Sequence, residues 1–225
     1  MSINHLAIIL DGNRRYAKSL KLEPWKGHEI GAKKVEKLLE WCEEFNIKEI
    51  TLYVFSMQNF KRTKEEINYL LKIVKNTAKK FINDPRIMEK KVKIRVIGRL
   101  HLFPKDIQDI CNEVMEKTQK NDNYKLNLAF GYGGREEIID AVKKILSEKN
   151  KTEINEETFS KYLYLSSEPD IVIRTGGVVR TSNFLPWQTI YSEWFFLEKT
   201  WPEFEKEDLK KVIEEFSQRE RRFGK

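Results

Sequence analysis

The run Leu6-Ala-Ile-Ile-Leu10 holds five apolar residues with no polar break. A strand with one wet face alternates apolar and polar positions. A run without alternation suits a strand covered on both faces, as in a parallel sheet. It stops abruptly at Asp11-Gly12-Asn13-Arg14-Arg15. In open α/β sheets, ligands bind just beyond the carboxyl ends of the strands. An acid placed there can hold a divalent cation, and a glycine lets the backbone come close to an anion. Guanidiniums can grip phosphate oxygens through two bonds at once. The segment reads as a mouth for a metal and a phosphate. It reads equally well as an Asp-Gly turn with solvated arginines, so the rest of the chain has to decide.

The rest of the chain repeats the alternation of strand and helix. Strand-like runs occupy 6–10, 49–55, 92–98, 124–130, 170–174 and 190–197. Segments with a 3.6-residue period occupy 29–45, 64–83, 105–120, 135–149, 156–164 and 206–219. Val35, Leu38, Leu39 and Cys42 form one apolar stripe; Ile67, Leu70, Leu71 and Val74 form another. Six strands with helices between them predict one α/β domain spanning 1–225. Its core is a mostly parallel six-stranded sheet surrounded by helices. A chain of 225 residues is long enough to bury one full core. No repeat or linker interrupts it, and the Lys-, Glu- and Asn-rich stretch 147–157 reads as a surface loop.

Composition narrows the partners. The chain has 42 Lys and Arg against 35 Asp and Glu, a net charge of +7, which favours an anionic partner. Much of the lysine lies on helical patterns that also carry glutamate, which suits a solvated surface better than a nucleic-acid face. Cys42 and Cys111 are far apart and belong to no metal-type cluster or disulfide framework. No stretch approaches the roughly 20 apolar residues of a membrane span. The short N-terminal apolar run is not that of a signal peptide. Cytosolic placement is the expectation.

Polar clusters follow the strand-like runs. Ser56, Asn59, Phe60 and Arg62 follow the second, and Gly131-Tyr-Gly133-Gly134-Arg135 the fourth. The fifth leads into Arg174-Thr-Gly176-Gly177-Val-Val-Arg180-Thr-Ser182-Asn183. Parallel topology predicts a rim holding Arg15, Arg62, Arg135, Arg174 and Arg180. That many guanidiniums in a crevice call for an anion. The last cluster is neither a Walker loop, lacking Gly-Lys-Ser/Thr, nor a dinucleotide fingerprint. Gly131–Gly134 reads mainly as a tight strand-to-helix turn. His28 reads either as an ordinary helix residue or as a phosphate donor or proton relay. Glu193 falls inside an apolar run and needs a metal, an arginine or a second chain as its partner.

Taken in order, several motifs carry a resemblance. They are His5-x-Ala-Ile-Ile-x-Asp11-Gly-Asn-x-Arg15-Tyr-Ala-Lys18, Gly27-His28-x-x-Gly31 and Thr51-Leu-Tyr-x-Phe-Ser56-x-x-Asn59-Phe-x-Arg62. Further on stand Ile173-Arg-Thr-Gly-Gly177, Arg180-x-Ser182-Asn-Phe-Leu185-x-Trp-Gln188, Trp201-Pro202 and Arg219-Glu-Arg-Arg-Phe-Gly224. Each is weak alone. Together they span nearly the whole chain and resemble the cis-prenyltransferases of the undecaprenyl and dehydrodolichyl diphosphate synthase kind.

The resemblance implies a Mg²⁺-dependent enzyme. It would elongate an allylic diphosphate, farnesyl or geranylgeranyl, with isopentenyl diphosphate units, each new double bond being cis. It implies Asp11, Asn59 and His28 as catalytic residues. Gly12, Asn13, Arg14, Arg15, His28, Ser56, Asn59, Phe60 and Arg62 would hold the allylic diphosphate. Arg174, Arg180, Ser182, Arg222 and Gly224 would hold isopentenyl diphosphate, and Asp11 and Glu193 the metal. It further implies a homodimer and a hydrophobic tunnel walled by 29–45 and 64–83. Peripheral membrane contact is expected where the insoluble product leaves, although no amphipathic anchor stands out. The chain departs from the family pattern at Tyr16, Lys26, Gln58 and Val178-Val179. The last pair replaces a usual Glu-His and puts any metal ligand beyond Asp11 in question. The alternative reading is a non-catalytic partner subunit of a separate synthase. The retained Asp11, Arg15, Arg174 and Arg180 favour the enzyme.

Overall fold

A computed structural model describes residues 3–148 and 153–219. The chain runs β1 (His5–Ile9), α1 (Asn13–Ser19), α2 (Lys26–Glu44), β2 (Glu49–Ser56), α3 (Lys64–Asn83), α4 (Pro85–Glu89) and β3 (Val92–Ile97). It continues through α5 (Lys105–Thr118), β4 (Tyr124–Tyr132), α6 (Gly134–Ser147), α7 (Glu156–Ser160), β5 (Ile171–Arg174), β6 (Glu193–Phe196) and α8 (Lys206–Gln218). The six strands form one sheet in the order β3-β4-β2-β1-β5-β6, and every pairing is parallel.

β1 is buried at all five positions, as its unbroken apolar run requires. Leu6 and Ile8 point with Ile50, Leu52, Ile171 and Ile173 into the core beneath α2, α3 and α8. Ala7 and Ile9 point the other way with Tyr53, Ala129 and Val172, beneath Leu165, Phe184 and Leu185. α3 opens with Thr63 as N-cap, its Oγ1 accepting from Glu66 N, and carries its apolar stripe inward.

Several boundaries move. The fifth helical stretch shortens to Glu156–Ser160, and the sixth strand to Glu193–Phe196. α2 begins at Lys26, so His28 sits inside its first turn. α1, too short to show a period in the sequence, fills 13–19. Gly131–Gly134 forms the strand-to-helix turn, with Gly131 at φ +63°. Cys42 and Cys111 are buried free thiols. No helix among the described residues is long and apolar enough to cross a membrane.

The order of the strands locates a crevice. From β1 the chain moves to β2 on one side and later returns to β5 on the other. A reversal of this kind opens a cleft at the carboxyl ends, here between β1 and β5. Asp11 follows β1 and Arg174 ends β5, so both stand at that point.

Candidate functional site

Asp11 is held from below and paired from the side. Its backbone carbonyl accepts from Thr175 Oγ1 and from Trp201 N, each at 2.8 Å. One carboxylate oxygen accepts from the Gly12 amide at 2.6 Å and has Arg15 Nη2 at 3.4 Å; the other accepts from Arg174 Nη2 at 2.8 Å. Gly12 is required twice over. Its φ is +100°, and a Cβ there would lie 2.6 Å from Thr200 Cβ. Arg15 spans the crevice and donates to the carbonyl of Gly176.

Arg174 is only 4% exposed, while the Asp11 side chain is 32% exposed. The Arg174 guanidinium also donates from Nη1 to Ser182 Oγ at 2.6 Å and to the Arg180 carbonyl. Its buried Nε has no protein partner. The loop it ties is strained, since Ser182, Asn183 and Leu185 all have positive φ (51°, 62° and 48°). Left-handed geometry costs an L-residue roughly 1–2 kcal/mol and persists only where the surroundings over-determine it. Asn183 supplies much of that constraint. Its Oδ1 accepts from Arg135 N at 2.9 Å, its Nδ2 donates to Glu136 at 3.0 Å, and its carbonyl accepts from Gly134 N at 2.8 Å.

The opposite lip follows β2. Ser56 N donates to Asn59 Oδ1 at 2.8 Å, and the two side chains close a reciprocal cap on the turn Met57–Lys61. The amide –NH₂ of Asn59 is then the group left to face a ligand. Arg62 Nη1 donates to Glu66 Oε1 at 2.9 Å, and the same oxygen lies 3.6 Å from His28 Nε2 and 3.8 Å from Arg14 Nε. Glu66 is thus a buried acid serving three basic side chains. Burial first, then the charges of Arg62 and Arg14, hold the His28 pKa down to about 3. Its imidazole is neutral at physiological pH, and Nε2, 3.3 Å from the Arg62 donor, takes the acceptor role. Burial lowers the pKa of Arg62 too, against the pull of Glu66, yet the guanidinium keeps its charge.

Behind these lips lies a cavity of about 410 Å³. Asp11, Asn13, His28, Ser56, Asn59, Arg62, Arg174, Arg180 and Ser182 stand on it, so most of the expected site residues meet at one place. Its depth is apolar, with Ala32 and Val35 from α2, Ile73, Val74 and Ala78 from α3, and Leu52 and Leu128 from the sheet. α2 reaches the mouth because Gly27 and Gly31 permit it. A Cβ would lie 1.9 Å from the Asn13 carbonyl at Gly27 and 2.2 Å from Asn13 Oδ1 at Gly31.

Other expected residues fall elsewhere. Phe60 packs its ring against Phe55 and Phe103, 5.0 and 5.1 Å away, and does not line the cavity. Asn13 lines the cavity but gives its Nδ2 to the Leu10 carbonyl at 2.8 Å, and Gly27 and Gly31 of α2 pack close against it. Arg135 lies exposed at the start of α6 and its side chain does not line the cavity. Glu193 corrects the expectation of a metal pair with Asp11 inside one chain. It is level with Ile171 at the amino end of the strands, whereas Asp11 follows the carboxyl end of β1, and it accepts from Arg219 at 2.7 Å. Arg222 and Gly224 lie outside the described residues. Glu66 and Thr175 were not singled out from the sequence. The spacing Thr63-x-x-Glu66 is that of a capping box, which disguises the acid as a helix cap. Only half of that box forms, and the carboxylate turns to Arg62 instead.

The family described as "Putative undecaprenyl diphosphate synthase" matches residues 9–224. The chain belongs to this family. The tritrans,polycis-undecaprenyl-diphosphate synthase (geranylgeranyl-diphosphate specific) of Pyrococcus abyssi is 49% identical, over 98% of this chain and 86% of that one. The isoprenyl transferase of Thermus thermophilus is 43% identical, over 98% and 88%. Among solved structures, lavandulyl diphosphate synthase from Lavandula x intermedia, in complex with dimethylallyl diphosphate, superposes with a TM-score of 0.94. It is 31% identical, covering 100% of this chain and 99% of that one. The undecaprenyl diphosphate synthase family therefore accounts for the fold, and for the motifs that converge on the cavity mouth.

Proposed function

We propose that the protein elongates geranylgeranyl diphosphate with isopentenyl diphosphate in cis configuration, giving a long polyprenyl diphosphate. One observation carries this reading: a mouth dense in guanidinium groups opens directly onto an apolar cavity. Among the described residues, Arg14, Arg15, Arg62 and Arg174 pair with two acids, Asp11 and Glu66, and Arg180 lines the cavity beside them. That excess suits two diphosphates. The apolar depth suits the hydrocarbon, since each five-carbon unit buried contributes about 4 kcal/mol at roughly 0.8 per methylene. The starter follows the geranylgeranyl-specific relatives.

The two lips divide the work. Gly12, Arg14, Arg15, Asn59 and Arg62 hold the allylic diphosphate, whose departure as an anion the guanidiniums stabilise. Glu66 and the neutral His28 keep Arg62 in place. Arg174, Ser182 and Arg180 hold isopentenyl diphosphate, with its double bond turned toward the allylic carbon. The proton lost from the new chain goes to the Asp11 carboxylate or to a diphosphate oxygen, the acceptors at the mouth. Among the described residues, no group of three or more His, Cys, Asp or Glu side chains is arranged to hold a metal ion by itself. The donor set still fits Mg²⁺, which binds through one or two carboxylates plus substrate phosphates. Asp11, one-third exposed at the rim, would hold it. When bound, the ion neutralises charge on the leaving diphosphate.

A homodimer suits the outer face of α6, where Ile139, Val142 and Leu146 stand 52, 39 and 79% exposed at helical spacing. The test is incubation with labelled isopentenyl diphosphate, geranylgeranyl diphosphate and Mg²⁺, wild type beside Asp11→Ala, with products sized by chromatography. Long product from the wild type alone is expected. A folded wild type that makes none with any allylic starter overturns the reading in favour of a partner subunit.

A further inference from the structure

We propose that the turn joining α1 to α2, residues 18–26, docks the protein on a bilayer containing anionic phospholipid. The proposal rests on the function given above, because it supplies a surface onto which an apolar product can pass. α1 ends in a tight hydrogen-bonded turn: Leu22 N donates to the Ala17 carbonyl at 2.9 Å and Lys21 N to the Lys18 carbonyl at 3.0 Å. Lys21 takes a φ of +56°, where such turns usually carry glycine. The turn is thereby fixed with Leu20 and Leu22 outward, 49 and 39% exposed, above a half-buried Trp25. Single exposed leucines are ordinary. Here two of them share a short turn with three lysines.

Lys18, Lys21 and Lys26 are exposed, and no carboxylate lies within ion-pair range of them among the described residues. Lys37, Lys61, Lys64 and Lys72 are likewise exposed without an acid in range, and the turn carries one exposed acid, Glu23; what is particular to the turn is that three such lysines flank two outward leucines. Outward leucines ringed by unpaired lysines match the interfacial region of an anionic membrane in both layers, headgroup and acyl. The placement agrees. α1 is seven residues long, about 10 Å, and its first turn carries Arg14 and Arg15 at the mouth of the cavity. The turn at its far end therefore stands beside the opening.

The test is co-sedimentation of the full chain with vesicles of phosphatidylcholine alone or mixed with phosphatidylglycerol. Wild type is expected on the mixed vesicles. Lys18→Gln with Lys21→Asn, the latter chosen because Asn tolerates a left-handed φ, should weaken binding about 25-fold, at roughly five-fold per lysine. Leu20→Ser with Leu22→Ser should weaken it about 10-fold while leaving every charge in place. Circular dichroism checks that both variants fold. Three results overturn the proposal: no binding by wild type, sedimentation without vesicles, or a leucine variant that binds like wild type. The last would mean bulk adsorption of a basic protein. Prenyl transfer assayed in detergent without vesicles separates this outcome from failure of the enzymatic reading.

Discussion

Replacing Arg174 by lysine keeps the charge and removes the fork. In the structure one guanidinium holds Asp11 with Nη2, and both Ser182 Oγ and the Arg180 carbonyl with Nη1. A lysine ammonium is a point charge that cannot reach across β1 and the 180–182 loop together. Kept on Asp11, it forfeits two charge-assisted bonds, each worth about 1.5–3 kcal/mol. Some of that returns through relaxation of the loop, whose positive φ values at Ser182 and Asn183 the arginine helps to hold. The net cost is about 3 kcal/mol. For a chain of this size that lowers Tm by roughly 6–12 °C. Because the loop is the proposed isopentenyl diphosphate lip, KM for that substrate should rise at least about 10-fold, with a smaller change for the allylic partner. Calorimetry and steady-state kinetics with each substrate varied in turn decide the matter. A Tm within ~2 °C of wild type and an unchanged isopentenyl KM would refute the idea that the fork organises the loop.

Three other changes follow from the same geometry. His28→Gln should flatten the acid side of the stability curve. The folded pKa near 3 lies below the unfolded value of 6.5, so the unfolded chain binds the extra proton and wild-type stability falls as pH drops through that window. Between pH 7 and pH 5 the wild type should lose about 2 kcal/mol more than the variant, read by urea unfolding. Glu66→Ala leaves Arg62 and Arg14 without their shared acid and should cost about 100-fold in allylic kcat/KM; Glu66→Gln, which keeps an acceptor for Arg62, should cost about 10-fold. Gly31→Ala puts a Cβ 2.2 Å from Asn13 Oδ1 and 2.8 Å from Trp201 Cδ1, and overpacking of that kind should lower Tm by about 4–8 °C in a thermal melt.

The parallel sheet was legible because its signal is local. Leu6–Leu10 and 170–174 announce buried strands within a few residues, and the mouth follows from where such strands end. α1 was missed because seven residues are too few to display a helical period. Its start depends on Gly12 and its position on Gly27 and Gly31, which are contacts between segments. Glu193 misled for a related reason. A carboxylate in an apolar run does need a partner, but strand direction decides which end of the sheet it reaches, and Arg219 from the end of α8 is the partner. Glu66 was hidden by a second local meaning, since a cap and a counter-ion look alike until the side chain's direction is known. Phe60 shows another limit: the motif gives its position in the chain, but only the fold shows its half-buried ring packed against Phe55 and Phe103.

The Asp11–Arg174 pair leads to a result that runs against intuition. Arg174 is nearly buried and its partner is an acid at the rim, so in the free protein Asp11 sits against the guanidinium that a diphosphate would claim. In buffer stripped of divalent cations, an incoming diphosphate must displace that carboxylate and then bear its repulsion. Asp11→Asn removes the negative charge and keeps the shape. The variant should therefore bind inorganic pyrophosphate more tightly than wild type in EDTA, about 10-fold for a charge-assisted contact exchanged for a neutral one, although it is expected to be inactive. Titration calorimetry reads the affinity directly. The melt gives a second reading, since saturation at 100 times Kd adds about 2.7 kcal/mol to stability. Arg174→Met should abolish both effects. If Asp11→Asn instead binds pyrophosphate more weakly without metal, the carboxylate is not a competitor for Arg174, and its pairing across the crevice only braces β1 against β5.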